Sequence, residues 1–131
     1  MIHYQNDKNL SAQDLSQVFA SSGIKRPYQD LERLQKMIEH ADIIISAWDG
    51  NKLVGIARAI TDYSYCCYLS DLAIDHDYQR LGIGKELVER LRQTLGAEVS
   101  LVLLSAPSAV DYYPRIGFTS TDKGFVIARE R

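Results

Sequence analysis

Cysteine is scarce in this 131-residue chain: there are two, Cys66 and Cys67, and they are adjacent. In a strand their side chains point to opposite faces, which argues against a disulfide between them and for packing roles in a reducing compartment. Histidine is equally sparse, and His3, His40 and His76 form no spaced cluster with the cysteines that would hold a metal. Charge of one sign is also missing. The net charge is −2 with both signs interspersed, so there is no basic face for a nucleic acid or an anionic membrane. No apolar run approaches the ~20 residues of a membrane span. The opening MIHYQNDKN lacks the basic start and apolar stretch of a signal peptide. The expected location is therefore the cytoplasm. Repeats, low-complexity stretches and flexible linkers are absent too. What is there is ordinary for a globular protein, 46% hydrophobic and 24% charged, and long enough to bury one core, so residues 1–131 are expected to form a single domain.

The hydrophobic period changes along the chain. Residues 2–5 read as a short first strand. Ser11 is a candidate N-cap, with Asp14 three residues on and Leu15, Val18 and Phe19 making an apolar stripe. Residues 21–29 read as a loop, after which Asp30 caps a second helix with Leu31, Leu34, Met37 and Ile38 on one face. The β-branched run from Ile43 to Trp48 ends at Asp49-Gly50-Asn51, a turn signal. Strands over Leu53–Ala59 and Tyr65–Asp75 follow, and the short turns predict an antiparallel meander. Ile83, Leu87, Val88, Leu91 and Leu95 share a helical face, with Gly96 as the stop. Val99 to Leu104 is apolar throughout, as a strand buried on both faces should be. A strand, a long helix and a strand make a right-handed crossover, so 67–75 and 99–104 are expected to be parallel neighbours. A short helix from Pro107 to about Tyr113 and strands near Phe118 and Gly124–Ala128 close the chain. The expected class is α/β, a mixed sheet with flanking helices, with its chemistry at the carboxyl end of the 65–75 strand.

Between that strand and the long helix stands Gln79-Arg80-Leu81-Gly82-Ile83-Gly84. A helix N-terminus presents unpaired N–H groups and a positive dipole end, a ready site for phosphate. Glycines there remove the Cβ atoms that would hold an anion away. No Gly-Lys-Ser/Thr follows, so this is not a Walker loop, and the preceding meander does not fit a dinucleotide-binding fold.

The whole segment LSDLAIDHDYQRLGIGKELVERL resembles the GNAT superfamily of acetyltransferases, whose pyrophosphate loop reads Gln/Arg-x-x-Gly-x-Gly/Ala. His76 stands where a proline is common. A second segment, Ser108 to Phe118, resembles that family's A-x-x-F-Y-x-x-x-G-F signature, with Tyr113 on the family tyrosine and Tyr112 on the preceding aromatic. The resemblance runs from about Ile43 to Phe118. It implies a GNAT-like fold, with acetyl-coenzyme A as acetyl donor and no metal. It implies that the loop Gln79, Arg80, Leu81, Gly82, Ile83, Gly84 and Lys85 holds the coenzyme pyrophosphate, while the pantetheine arm pairs like an added strand with Leu72, Ala73 and Ile74. Ala106 replaces an asparagine common before the second signature.

An amine attacking a thioester must lose a proton, and the departing thiolate gains from receiving one. With a pKa near 10 against ~8.5 for a free thiol, Tyr113 suits the general acid. Pro114 predicts a helix break there, and Tyr112 is expected to pack. Asp71, one residue before the proposed pantetheine contacts, is the candidate base; anchoring an acceptor cation and pairing with an arginine are the alternatives. A backbone N–H near Leu72 is the candidate oxyanion donor. Arg26 and Tyr28, in the 21–29 loop, correspond by position to the cover of the acceptor site; Arg58 and Tyr63 are weaker candidates for its lining. The expected reaction is direct transfer from acetyl-coenzyme A to a primary amine, of a small molecule or a peptide; the alternative is a coenzyme A-binding sensor without turnover. A homodimer is in keeping with the resemblance.

Overall fold

The computed structural model describes residues 1–131. Five strands form one sheet in chain order: β1 (Ile2–Gln5), β2 (Ile43–Asp49), β3 (Lys52–Thr61), β4 (Cys66–Ile74) and β5 (Ser100–Val102). The first four are antiparallel neighbours, and β4 and β5 are parallel. α1 (Ala12–Ser22) and α2 (Leu31–His40) cover one face, and α3 (Ile83–Leu95) covers the other. No helix is long and apolar enough to cross a membrane.

The period-two alternation of the strands sorts the core into two layers. Ile44, Trp48 and Ile56 pack under α1 and α2 with Leu15, Phe19 and Leu34. Ile43, Ile45, Val54 and Ala57 pack under α3 with Leu87, Val88 and Leu91. The helix boundaries follow the sequence signals. Ser11 and Asp14 form a reciprocal capping box, Asp30 accepts from the Arg33 N–H, and Gly23 and Gly96 end their helices with positive φ. Cys66 is exposed and Cys67 buried, both free.

β4 is irregular. Arg58 pairs with Asp71 while Ala59 pairs with Leu69, so Ser70 is an extra residue, a β-bulge. Without it Leu69 and Asp71 would share a face. With it Leu69 faces α3 and Ala73 faces α1 and α2.

Three expectations fail toward the C-terminus. β5 is shorter than 99–104, because pairing with β4 stops at Tyr68–Val102. The short helix of 107–113 is replaced by two 3-10 turns, Pro107–Ala109 and Tyr113–Ile116, the second interrupted by Pro114, which has no N–H to continue a helix. No strand forms near Phe118 or at 124–128. The 124–128 run has strand-forming side chains but no ladder partner, and its large apolar residues are exposed.

Candidate active site

The loop before α3 is held by its neighbours. Asp75, buried at the end of β4, accepts from the Asp77 N–H, and its N–H donates to the Val54 carbonyl. Lys52 lies 3.3 Å from its second carboxylate oxygen. Burial works to raise the Asp75 pKa, but the Asp77 N–H, the Ser21 hydroxyl and Lys52 outweigh it and hold the carboxyl below its ordinary value. The Tyr78 hydroxyl donates to Asp49, so the β2–β3 turn is tied to the loop at two points.

From this base the chain turns sharply. Arg80 at φ 68° and Gly82 at φ 83° lie in the left-handed region. For Arg80 that conformation costs on the order of 1–2 kcal/mol. The N–H groups of residues 80–85 have no partner anywhere in the chain; the first amide to find one is that of Glu86, which donates to Gly82. Six consecutive donors at the positive end of a thirteen-residue helix make an anion cradle. Gly82 opens outward, with nothing within 4 Å of where a Cβ would stand. Gly84 is the reverse: a Cβ there would collide with the Tyr112 hydroxyl. Arg80, Leu81 and Lys85 point to solvent at the rim, and Ile83 is buried against Gly55. The Gln79 amide is turned back onto β4, donating to the Ile74 carbonyl at 3.0 Å.

Beside the cradle, the edge of β4 facing β5 has no ladder partner from Leu69 to Ile74, since β5 pairs only with Cys66, Cys67 and Tyr68. Leu72, Ala73 and Ile74 therefore lie on an open stretch of strand, with Ala73 buried and the other two half-buried. An edge of this kind and a diphosphate-sized nest of N–H groups at its end fit an extended amide chain carrying a diphosphate. No group of three or more His, Cys, Asp or Glu side chains is arranged to hold a metal.

Asp71 stands at the bulge and is 0% exposed. One carboxylate oxygen accepts from Arg26 Nε at 2.6 Å and the other from Arg58 Nε at 2.5 Å. Arg26 Nη2 also donates to the Ser70 carbonyl, and Arg58 Nη2 to the Ser70 hydroxyl. Two guanidiniums thus clamp the bulge. A carboxylate with both oxygens in charge-assisted bonds favours its ionised form and has no lone pair aimed at a substrate. This geometry takes up the arginine-pairing alternative for Asp71 and argues against its role as a base. Arg58 is buried in the same cluster, so it does not line a cleft. Tyr63 is displaced to the β3–β4 turn, where its hydroxyl donates to the Asp42 carbonyl.

Arg26 carries the loop after α1 down onto β4. Its side chain keeps 28% exposure, and after the bonds to Asp71, Ser70 and Lys25 one N–H on each of Nη1 and Nη2 remains free. Tyr28 is partly exposed, and its carbonyl accepts from the Ser16 hydroxyl.

The two tyrosines after β5 diverge. Their rings meet edge to face at 5.4 Å, and Tyr113 meets Phe118 the same way at 5.5 Å. Tyr112 reaches the first turn of α3 at Gly84. Tyr113 feels Arg26: burial and Tyr112 raise its pKa above the ordinary tyrosine value, and Arg26 opposes them. Tyr112 at the cradle and the Arg26 clamp on Asp71 were not singled out in the sequence. Only the Gly84-Tyr112 collision, which needs coordinates, reveals the first. The second had a signal in two arginines and one aspartate among apolar strand positions.

The chain matches the model of the acetyltransferase (GNAT) domain over residues 7–128. It is 35% identical to the uncharacterized N-acetyltransferase ycf52 of Porphyra purpurea, over 94% of this chain and 73% of that protein. It is 30% identical to serotonin N-acetyltransferase 2, chloroplastic, of Oryza sativa subsp. japonica, over 87% of this chain and 59% of that protein. Among solved structures it is similar to a probable acetyltransferase, SA2161 of meticillin-resistant Staphylococcus aureus, with a TM-score of 0.85, 20% identity, and coverage of 98% of this chain and 100% of that one.

Proposed function

This chain belongs to the GNAT acetyltransferase family, and on that footing we propose that it transfers the acetyl group of acetyl-coenzyme A directly to an amine. The observation that carries the reading is the run of unpaired N–H groups at residues 80–85 beside the open edge of β4. When bound, acetyl-coenzyme A supplies an acetyl carbon activated as a thioester. The amides of residues 80–85 hold the diphosphate, with Arg80 and Lys85 adding charge at the rim. The backbone of Leu72, Ala73 and Ile74 orients the extended arm and supplies the oxyanion donor. Gln79 acts indirectly, fixing the loop to the strand end.

Tyr113 is the general acid. Its raised pKa keeps its proton at neutral pH, so it gives that proton to the departing sulfur and regains one from the acceptor's nitrogen. Within Cys66–Ile74 the only carboxylate is Asp71, which the two arginines occupy, so the proton travels through solvent and not through a carboxylate base. Arg26 and Tyr28 face the acceptor. The two free N–H groups of Arg26 suit an acceptor that carries a carboxylate or another anion near its amine.

Calorimetric titration with acetyl-coenzyme A and with ATP tests the cradle, and Tyr113→Phe tests the acid. Selective binding of acetyl-coenzyme A is expected, with kcat of the variant lower by ~10²-fold at unchanged coenzyme affinity. Unchanged kcat would remove Tyr113 from the chemistry. Coenzyme binding without turnover on any amine would leave the sensor reading standing.

A further inference from the structure

The C-terminal segment and the outer edge of β5 are each incomplete, and they are complementary. Phe125 is 95% exposed, and Val126 and Ile127 are exposed with it. These residues form a run, Gly124-Phe125-Val126-Ile127-Ala128, with the side chains of a strand buried on both faces. Yet they stand clear of their own body. β5 has one neighbour, β4, and its other edge is bare. Val102 is 50% and Leu104 56% exposed. With Ile60 and Tyr68, which stand in lateral register with Val102, they make an apolar strip across three strands. On the opposite face of the sheet, beside the same edge, a groove of about 790 Å³ is lined by Leu95, Val99, Leu101, Ile116 and Phe118. Bare edges flanked by apolar surface on both faces are rare in isolated chains because they recruit another strand.

We propose that two copies of this chain exchange C-terminal arms, each placing residues 124–128 antiparallel along β5 of the other. One register satisfies the pattern on both faces. With Ile127 opposite Val102, Phe125 meets Leu104 over the strip. Val126 and Ala128 then fall opposite Leu103 and Leu101, over the groove. The same register sets Arg131 opposite Glu98 at the start of the strand, an opposite-charge pair that a parallel arm would not make. Exchange is chosen over folding back because the arm already stands away from its own β5, and a second copy pairs with it as it stands. Reciprocal exchange is an isologous contact, which closes as a twofold dimer and leaves no free edge. Two arms and two receiving edges are on the scale of the roughly 1,200–2,000 Å² of a stable interface.

The test is the mass of the chain in solution by light scattering, with a crosslink that reports the register. The full chain is expected to run as a dimer, and Phe125→Asp/Ile127→Asp as a folded monomer with unchanged circular dichroism. In a Cys66→Ser background, Val102→Cys/Ile127→Cys is expected to oxidise to a covalent dimer on a non-reducing gel. A monomeric full chain, or a crosslink formed within one chain, would overturn the exchange. So would a dimer that survives the aspartate substitutions without loss of affinity. If the substituted chain does not fold, the crosslink alone decides: an intermolecular bond supports the exchange, and its absence refutes it.

Discussion

Replacing Asp71 by asparagine separates a clamp from a catalyst. The side chain keeps its shape and loses its charge, leaving the guanidiniums of Arg26 and Arg58 facing an amide. Arg58 is buried with it, so its positive charge would be stranded out of water. Breaking a buried pair in this way costs about 3–5 kcal/mol. Arg26 retains access to solvent and rehydrates in part, which puts the cost near the lower end, at ~3 kcal/mol. For a chain of this length 1 kcal/mol moves the melting temperature by roughly 3–4 °C, so a fall of about 10 °C is expected. Melting followed by circular dichroism measures that, and steady-state kinetics at 15–20 °C below the new midpoint measures the rest. Loosening Arg26 should raise the acceptor's KM, while kcat changes by less than about tenfold, short of the 10²–10⁴-fold that removing a general base costs. Asp71→Asn/Arg58→Met, which removes the stranded charge as well, should recover part of the lost stability. An unchanged melting temperature with kcat down a hundredfold or more would refute the reasoning and make Asp71 the base.

Three further outcomes follow from the same geometry. Gly84→Ala drives a methyl group into the Tyr112 hydroxyl but leaves the ring carbon behind it at 3.4 Å; it should cost about 1–3 kcal/mol by overpacking, and Tyr112→Phe in the same chain should cancel most of that, as a double-mutant cycle of melting curves would show. Asp75 has a depressed pKa in the folded state, so below about pH 4 the unfolded chain takes up its proton first and stability falls with the pH. Asp75→Asn should flatten that acid limb in melts from pH 6 to pH 2, and an unaltered slope would contradict the assignment. The raised pKa of Tyr113 means that its proton is retained into alkali, so any fall in kcat attributable to it must lie above about pH 10. A pH–rate profile in which Tyr113→Phe abolishes an inflection below pH 9 would disprove this.

Most of the fold was legible because its signals are local. Ser11 and Asp14, Asp30, and the glycines after α1 and α3 set helix ends within a few residues of themselves, and the alternation along β2 and β3 needs only the sequence to be read. The glycine loop was legible for the same reason: what it offers is backbone. The misses are non-local. Whether 124–128 becomes a strand depends on a partner that its own residues cannot name. The fate of Asp71 depended on Arg26, forty-five positions away, arriving on a loop whose path no period encodes. Tyr112 looked like packing because adjacent residues on a helix diverge, and the chain instead passes through tight turns about Pro114 that send both rings toward the site.

The extra residue at Ser70 gives β4 something like two reading frames. Up to Leu69 odd-numbered positions belong to the α3 layer; beyond Ser70 they belong to the other. Each half of the strand can then be tuned to its own helix layer, a hydrophobic floor for α3 on one side of the junction and the clamp for the loop after α1 on the other. Losing that single residue would be a frameshift in space: every side chain from Asp71 to Ile74 would change address, the carboxylate would turn toward α3, and Leu72 and Ile74 would be handed to the opposite wall. A one-residue deletion here is therefore a more drastic edit than any substitution in the strand, though it removes only a serine.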